Sequence, residues 1–92
     1  MITSFLHKGL RLYYEKGKAT GLPTAHLRKI GMILTALDAV TAEEDIKQLG
    51  SGIHLLRGIY AGYWSITITG NYRIIFRFDQ GEVFNVDYID YH

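Results

Sequence analysis

The chain has 92 residues, of which 48% are hydrophobic and 21% charged, with one proline and no cysteine. That suffices for one domain spanning 1–92 with a modest core and argues against a disordered linker. The lack of cysteine excludes disulfides, thiol catalysis and cysteine-held zinc, and fits a reducing cytoplasmic compartment. The formal net charge of +1 hides an asymmetry: residues 1–40 carry six cations against two acids, so the basic charge gathers in the first half, as a phosphate-facing patch or as solvated helix faces.

Ile2 to Phe5 is a short β-prone start, with neither the apolar run nor the cleavage site of a secretory signal. No stretch approaches the roughly 20 apolar residues that a bilayer span needs. From His7 the period changes: Leu10, Tyr13 and Tyr14 fall at helical spacing, and Gly17 is a natural stop. After a loop over 18–22, Pro23 and Thr24 open a second helix with the apolar stripe Leu27, Ile30, Ile33, Leu34 and Leu37. Gly31 within it costs about 1 kcal/mol relative to alanine and allows the first helix to pack closely. Thr41-Ala42-Glu43-Glu44 reads as a capping box, with Glu44 reaching back, ahead of a short third helix that runs to Leu49. Gly50-Ser51-Gly52 breaks it as a turn.

From Ile53 the period is mostly two, giving strands over 53–57, 63–69, 72–78 and 83–91 and a loop over 58–62. Trp64, Ile66, Ile68, Tyr72, Ile74, Phe76, Phe84, Val86 and Tyr88 make one apolar face. The upstream helices are the available cover for this antiparallel meander. If Asp79-Gln80-Gly81 is a three-residue hairpin loop, Phe76 pairs with Phe84, Ile74 with Val86 and Tyr72 with Tyr88, and Arg73 stands opposite Asp87. A longer loop or a bulge is expected at Gly70-Asn71.

Asp90-Tyr91-His92 concentrates an acid, a phenol and an imidazole, groups suited to proton transfer, at the end of the last strand. His7, His26, His54 and His92 show no metal-ligand spacing, so no metal or cofactor is expected. Asp87 and Asp90 face opposite sides of a regular strand and share no site unless a bulge intervenes. Arg73 reads either as half of a cross-strand ion pair with Asp87 or as a guanidinium clamping a phosphate. In isolation His54 reads as a partly buried strand histidine, His92 as an exposed terminal residue and Tyr91 as an ordinary sheet aromatic.

Together, the opening M-I-x-S-F-x-H-K-G-L, the L-x-A-L-D-A-x-T end of the long helix, the H-x-L-x-G of His54 to Gly58, G-Y-W-S-I of Gly62 to Ile66, N-Y-R-I-I-F of Asn71 to Phe76 and the D-Y-H triplet resemble the HigB-type toxins of the RelE/ParE superfamily. The resemblance implies an α+β, compact RelE-like fold, an antiparallel sheet with two to three N-terminal helices packed on one face. It further implies cleavage of messenger RNA on the translating ribosome and a helix-turn-helix, HigA-like antitoxin. By position it assigns acid/base roles to His54 and His92, phosphate stabilisation to Arg73, orientation of a histidine to Asp90, and base stacking or proton transfer to Tyr91. Arg57, Arg77, Lys8, Lys16 and Lys18 become candidate RNA or ribosome contacts. Because alternation separates Asp90 and His92 from Arg73 and Tyr91, a bend or bulge is expected near the strand's end. The alternative readings are a ParE-like toxin that poisons DNA gyrase without catalysis, since fold alone does not separate the two, and an inactive partner-binding module.

Overall fold

Four strands form an antiparallel meander in sequential order: β1 (Ile53–Leu55), β2 (Trp64–Thr69), β3 (Tyr72–Asp79) and β4 (Glu82–Asp90). The computed structural model describes residues 1–50 and 52–91, so His92 lies outside the described residues. Ahead of the sheet come α1 (Lys8–Lys16), a 3-10 turn (Thr24–His26) that runs into α2 (Leu27–Asp38), and α3 (Glu43–Lys47). Strand alternation turns Ile66, Ile68, Ile74, Phe76 and Val86 to one face, where they pack with Leu10, Ile30, Ile33, Leu34, Leu37 and Ile46 of the helices. Phe76, Leu10, Ile30, Leu37 and Ile74 are fully buried, and each such side chain contributes about 1.5–3 kcal/mol of transfer free energy. The helices thus cover one face of the sheet and leave the outer face without helix cover.

Local chemistry sets the helix boundaries. Gly17 takes a left-handed conformation (φ 69°) and its amide closes the last turn of α1 onto Tyr13. A Cβ on Gly31 would stand 3.2 Å from the Tyr13 hydroxyl, so this glycine lets α1 and α2 approach closely. At α3 the expected capping residue is corrected. The carboxylate of Asp45, not Glu44, reaches back to the amides of Thr41 (2.9 Å) and Ala42 (3.0 Å). The helix begins one residue later than the sequence pattern implies, which moves its third position to Asp45. Those two amides hold the Asp45 carboxyl below the usual carboxylate range.

The N-terminal segment runs parallel to β4, with bridges Ile2 to Val83 and Phe5 to Val86. Thr3 N donates to Val83 O and Leu6 N to Val86 O, both at 2.8 Å. Asp38, at the end of α2, ties down the same segment by accepting from Ile2 N (2.9 Å) and from the Tyr14 hydroxyl (2.7 Å). These bonds hold the Asp38 carboxyl low, while the same carboxylate pushes the Tyr14 phenol up to about 12.

Two bulges set the register. Gly70-Asn71 is a two-residue turn, and the bulge expected there falls in β2 between Thr67 and Thr69. The β3–β4 connection differs from expectation. It is a two-residue turn, Gln80-Gly81, with positive φ at both residues, so Asp79 pairs with Glu82. An extra residue in β4 follows at Asn85 (φ 53°), a conformation that asparagine tolerates better than most residues. Beyond this bulge Ile74 pairs with Tyr88 rather than Val86, and Tyr72 with Asp90 rather than Tyr88. Phe84 lies across from Arg77, not Phe76, and Val83 takes the buried place instead.

Candidate functional site

The Asn85 bulge decides which β4 side chains meet the outer face. Without it Val83 and Val86 would point to opposite sides; with it both are fully buried. Ser4 holds the bulge, since its hydroxyl accepts from Asn85 N (2.8 Å) and donates to Asn85 Oδ1 (3.3 Å). Downstream of it Asp87, Ile89 and Tyr91 share the outer face with Arg73, Ile75 and Arg77. Pairing continues past β4, with Tyr91 N donating to Asn71 O at 2.7 Å, so the described residues show no bend at the strand's end.

Arg73 is anchored on that face. Its Nη1 donates to Thr67 Oγ1 at 2.7 Å, directly across the β2–β3 pair, and its guanidinium carbon lies 5.1 Å from the centre of the Tyr91 ring. Arg73 stands across from Ile89 and Asp87 across from Ile75, so the cross-strand ion pair expected from the sequence does not form among the described residues. Asp87 instead accepts from the amide of Tyr88 (2.9 Å). His54 on β1 is exposed rather than partly buried, and pairs with Ser65, which pairs in turn with Ile75. An imidazole and a fixed guanidinium therefore share one face, two strands apart.

The loop between β1 and β2 crosses this face. Its 3-10 turn (Gly58–Tyr60) sets the Tyr60 ring 6.4 Å from Tyr63 and 6.1 Å from Tyr91. Arg77 lies 5.2 Å over the Tyr63 ring, and a Cβ on Gly62 would meet its guanidinium at 3.1 Å. A track of phenols thus runs between two guanidinium groups, Arg77 and Arg73. Asp90 is exposed, faces the other side from Tyr91 by alternation, and lines a shallow recess at the sheet's end with Ile59, Tyr60 and Tyr91. Arg57 is exposed at the start of the 3-10 turn. Lys8, Lys16 and Lys18 are exposed too, but on and just after α1, in the helix layer and away from the Arg73 face.

The helix side of the sheet's end carries a second aromatic group. Tyr88 OH lies 2.6 Å from His26 Nδ1, and His7 and Tyr72 pack beside it. Burial pushes the Tyr88 phenol up, with Tyr72 and Asp90 adding to the shift. His7 Nδ1 is already committed to the amide of Leu10, capping α1. Among the described residues no three His, Asp or Glu side chains converge as metal ligands would. Sequence reasoning missed Thr67, Tyr60, Tyr63 and Ser65. The period-two pattern of β2 already turned Ser65 and Thr67 from the core, but the Gly70-Asn71 turn alone would set Ile68 opposite Arg73, and it is the bulge between Thr67 and Thr69 that brings Thr67 there.

A helix-backed antiparallel meander with an anchored guanidinium, an imidazole and a row of contacting phenols on its outer face defines a RelE-like α+β domain. A family model described as RelE-like toxin of type II toxin-antitoxin system HigB matches residues 3–92. Endoribonuclease HigB of Proteus vulgaris is 41% identical over 92 residues, covering the whole of both chains. Toxin HigB-1 of Vibrio cholerae serotype O1 is 33% identical over 94 residues, covering all of this chain and 98% of that relative. The chain belongs to the HigB family of RelE-like toxins of type II toxin–antitoxin systems. Membership implies an antitoxin partner. No helix among the described residues is long and apolar enough to cross a membrane.

Proposed function

We propose that this toxin is an endoribonuclease that cuts translated messenger RNA on the ribosome by general acid/base chemistry without a metal, with residues 1–92 acting as one cytoplasmic domain. The observation that carries the reading is Arg73, fixed by Thr67 and Tyr91 on the face that also bears His54, with its Nε without a hydrogen-bond partner among the described residues. The name of the Proteus vulgaris relative, similar over its full length, supports the same chemistry.

In the reaction the ribose 2′-oxygen bonds to the adjacent phosphorus and the bond to the 5′-oxygen breaks, leaving a 2′,3′-cyclic phosphate and a 5′-hydroxyl. One group takes the 2′-proton and another protonates the leaving oxygen; His54 and His92 are the pair for these roles. The Arg73 guanidinium stabilises the charge that develops on the phosphorane oxygens, where fixed donors act most strongly. Tyr91, stacked on Arg73, offers a platform for a base or a route for a proton, and Asp90 orients a histidine. Arg57, Arg77, Lys8, Lys16 and Lys18 contact ribosome or message, and the ribosome supplies much of the substrate positioning that so small a protein cannot. The antitoxin is a helix-turn-helix protein of the HigA kind.

Primer extension on translated messages tests the reading. New 5′ ends in register with codons are expected after the toxin is expressed. Intact messages together with a DNA-damage response would instead establish the gyrase-poisoning alternative.

A further inference from the structure

Two side chains on the outer face are less accessible than their position allows. Ser65 is 0% and Ile75 1% exposed, yet both point away from the helix layer, so the helices do not cover them. The segment on that side of the sheet that reaches across it is the β1–β2 loop. Its Tyr60 ring bridges Tyr63, next to the start of β2, and Tyr91, beyond the end of β4, and so lies over the residues between them. Under this roof, Ser65 Oγ and Arg73 Nε are both buried without a hydrogen-bond partner among the described residues. A native fold rarely leaves two neighbouring polar atoms so, and such atoms call for a functional explanation.

Position supplies one. Ser65 pairs directly with His54 on one side, and on the other it is the diagonal neighbour of Arg73, which pairs with Thr67. It therefore stands between the imidazole and the guanidinium. We propose that Ser65 is a further substrate-binding residue of the toxin: its hydroxyl and the Nε–H of Arg73 donate to non-bridging oxygens of the scissile RNA phosphate, which enters where the Tyr60 ring now stands. The assignment rests on the nuclease reading above. Ser65 keeps its proton throughout, because the base and the acid are other groups. The roof is built to lift. Gly58 (φ 71°) and Gly62 (φ 88°) bracket the turn with left-handed backbone, and Ile59 at its tip is 93% exposed and so does not anchor the loop to the sheet.

The test is cleavage of a ribosome-bound message under single-turnover conditions, with an oxygen or a sulfur at each non-bridging position of the scissile phosphate. Ser65→Ala is expected to melt at or above the wild-type temperature, because no partner is lost, and to cleave more slowly by on the order of 100-fold. Sulfur at one of the two positions slows the wild type, and that effect should shrink toward unity in Ser65→Ala. Cleavage by Ser65→Ala within about threefold of wild type, far below the loss of a transition-state donor, would overturn the assignment. So would slow cleavage that keeps the full sulfur effect, since that outcome marks a structural role. Should Ser65→Ala melt early, Ser65→Cys, nearly the same size and a weaker donor, carries the same comparison. A wild-type protein that leaves the translated message intact would refute the nuclease reading itself, an outcome distinct from both.

Discussion

Replacing Ser4 with alanine removes the hydroxyl that holds the β4 bulge, 81 residues away in sequence. The variant keeps the core untouched but leaves the partly buried amide of Asn85 without its 2.8 Å acceptor. Stranding a donor of this kind costs about 1–3 kcal/mol, out of roughly 5–15 kcal/mol for a whole domain. At this chain length each kcal/mol lowers the melting temperature by about 4–8 °C, so a fall of about 4–24 °C is expected. Thermal melts followed by circular dichroism measure it. Thr3→Ala is the control: Thr3 is exposed, its hydroxyl bond to Val83 O is long at 3.2 Å, and its loss should cost within about 0.5 kcal/mol. If Ser4→Ala melts with Thr3→Ala, the bulge does not depend on Ser4 and the account of β4 register fails.

Arg73→Ala should slow cleavage by on the order of 100–1000-fold, and Arg73→Lys should recover only part of it, because an ammonium cannot hold Thr67 Oγ1 and a phosphate with one planar fork; cleavage rates on ribosome-bound message check this. Gly62→Ala puts a Cβ at φ 88° and 3.1 Å from the Arg77 guanidinium, so it should cost about 1–2 kcal/mol in melts and displace Arg77 from Tyr63, visible as a change in Tyr63 ring resonances by NMR. For the Asp38–Tyr14 bond the two limbs of the pH dependence have opposite sign. The lowered Asp38 carboxyl stabilises the fold above its unfolded value near 3.8 and stops doing so as pH falls below it. The raised Tyr14 phenol stabilises it below pH 10 and loses this as pH climbs from 10 to about 12. Melting temperature against pH should therefore flatten at both ends in Asp38→Asn, and an unchanged curve would refute the linkage.

The meander, the helix positions and the core face were legible because burial writes itself as period two in strands and near 3.6 in helices. Register was not. The pairing of Ile74 with Tyr88 depends on an asparagine in a left-handed conformation, stabilised by a serine at the other end of the chain, and no local pattern announces such a contact. Gln80-Gly81 lacks the asparagine that usually marks a two-residue turn, which made a three-residue loop the natural expectation. At the site, alternation correctly set Arg73 with Tyr91 and apart from Asp90. It could not show the β1–β2 loop folding over Ser65, because an apolar Ile59-Tyr60-Ala61 reads the same whether it covers a sheet or projects from it.

The N-terminal segment lies along β4, with Thr3 bonded to Val83 across 80 residues of chain. Such a contact constrains the order of events during synthesis. The first strand-like residues have no partner until residues 82–86 have been made, and β3 lacks its inner neighbour until then. Loop closure of this length precedes any reward from pairing, which is slow compared with helix formation. A chain still emerging from the ribosome thus carries α1 and α2 without a finished sheet, with Arg73 separated from Tyr91. The outer face that brings Arg73 and Tyr91 together comes into being only after β4 docks, so this arrangement is among the last parts of the fold to be completed.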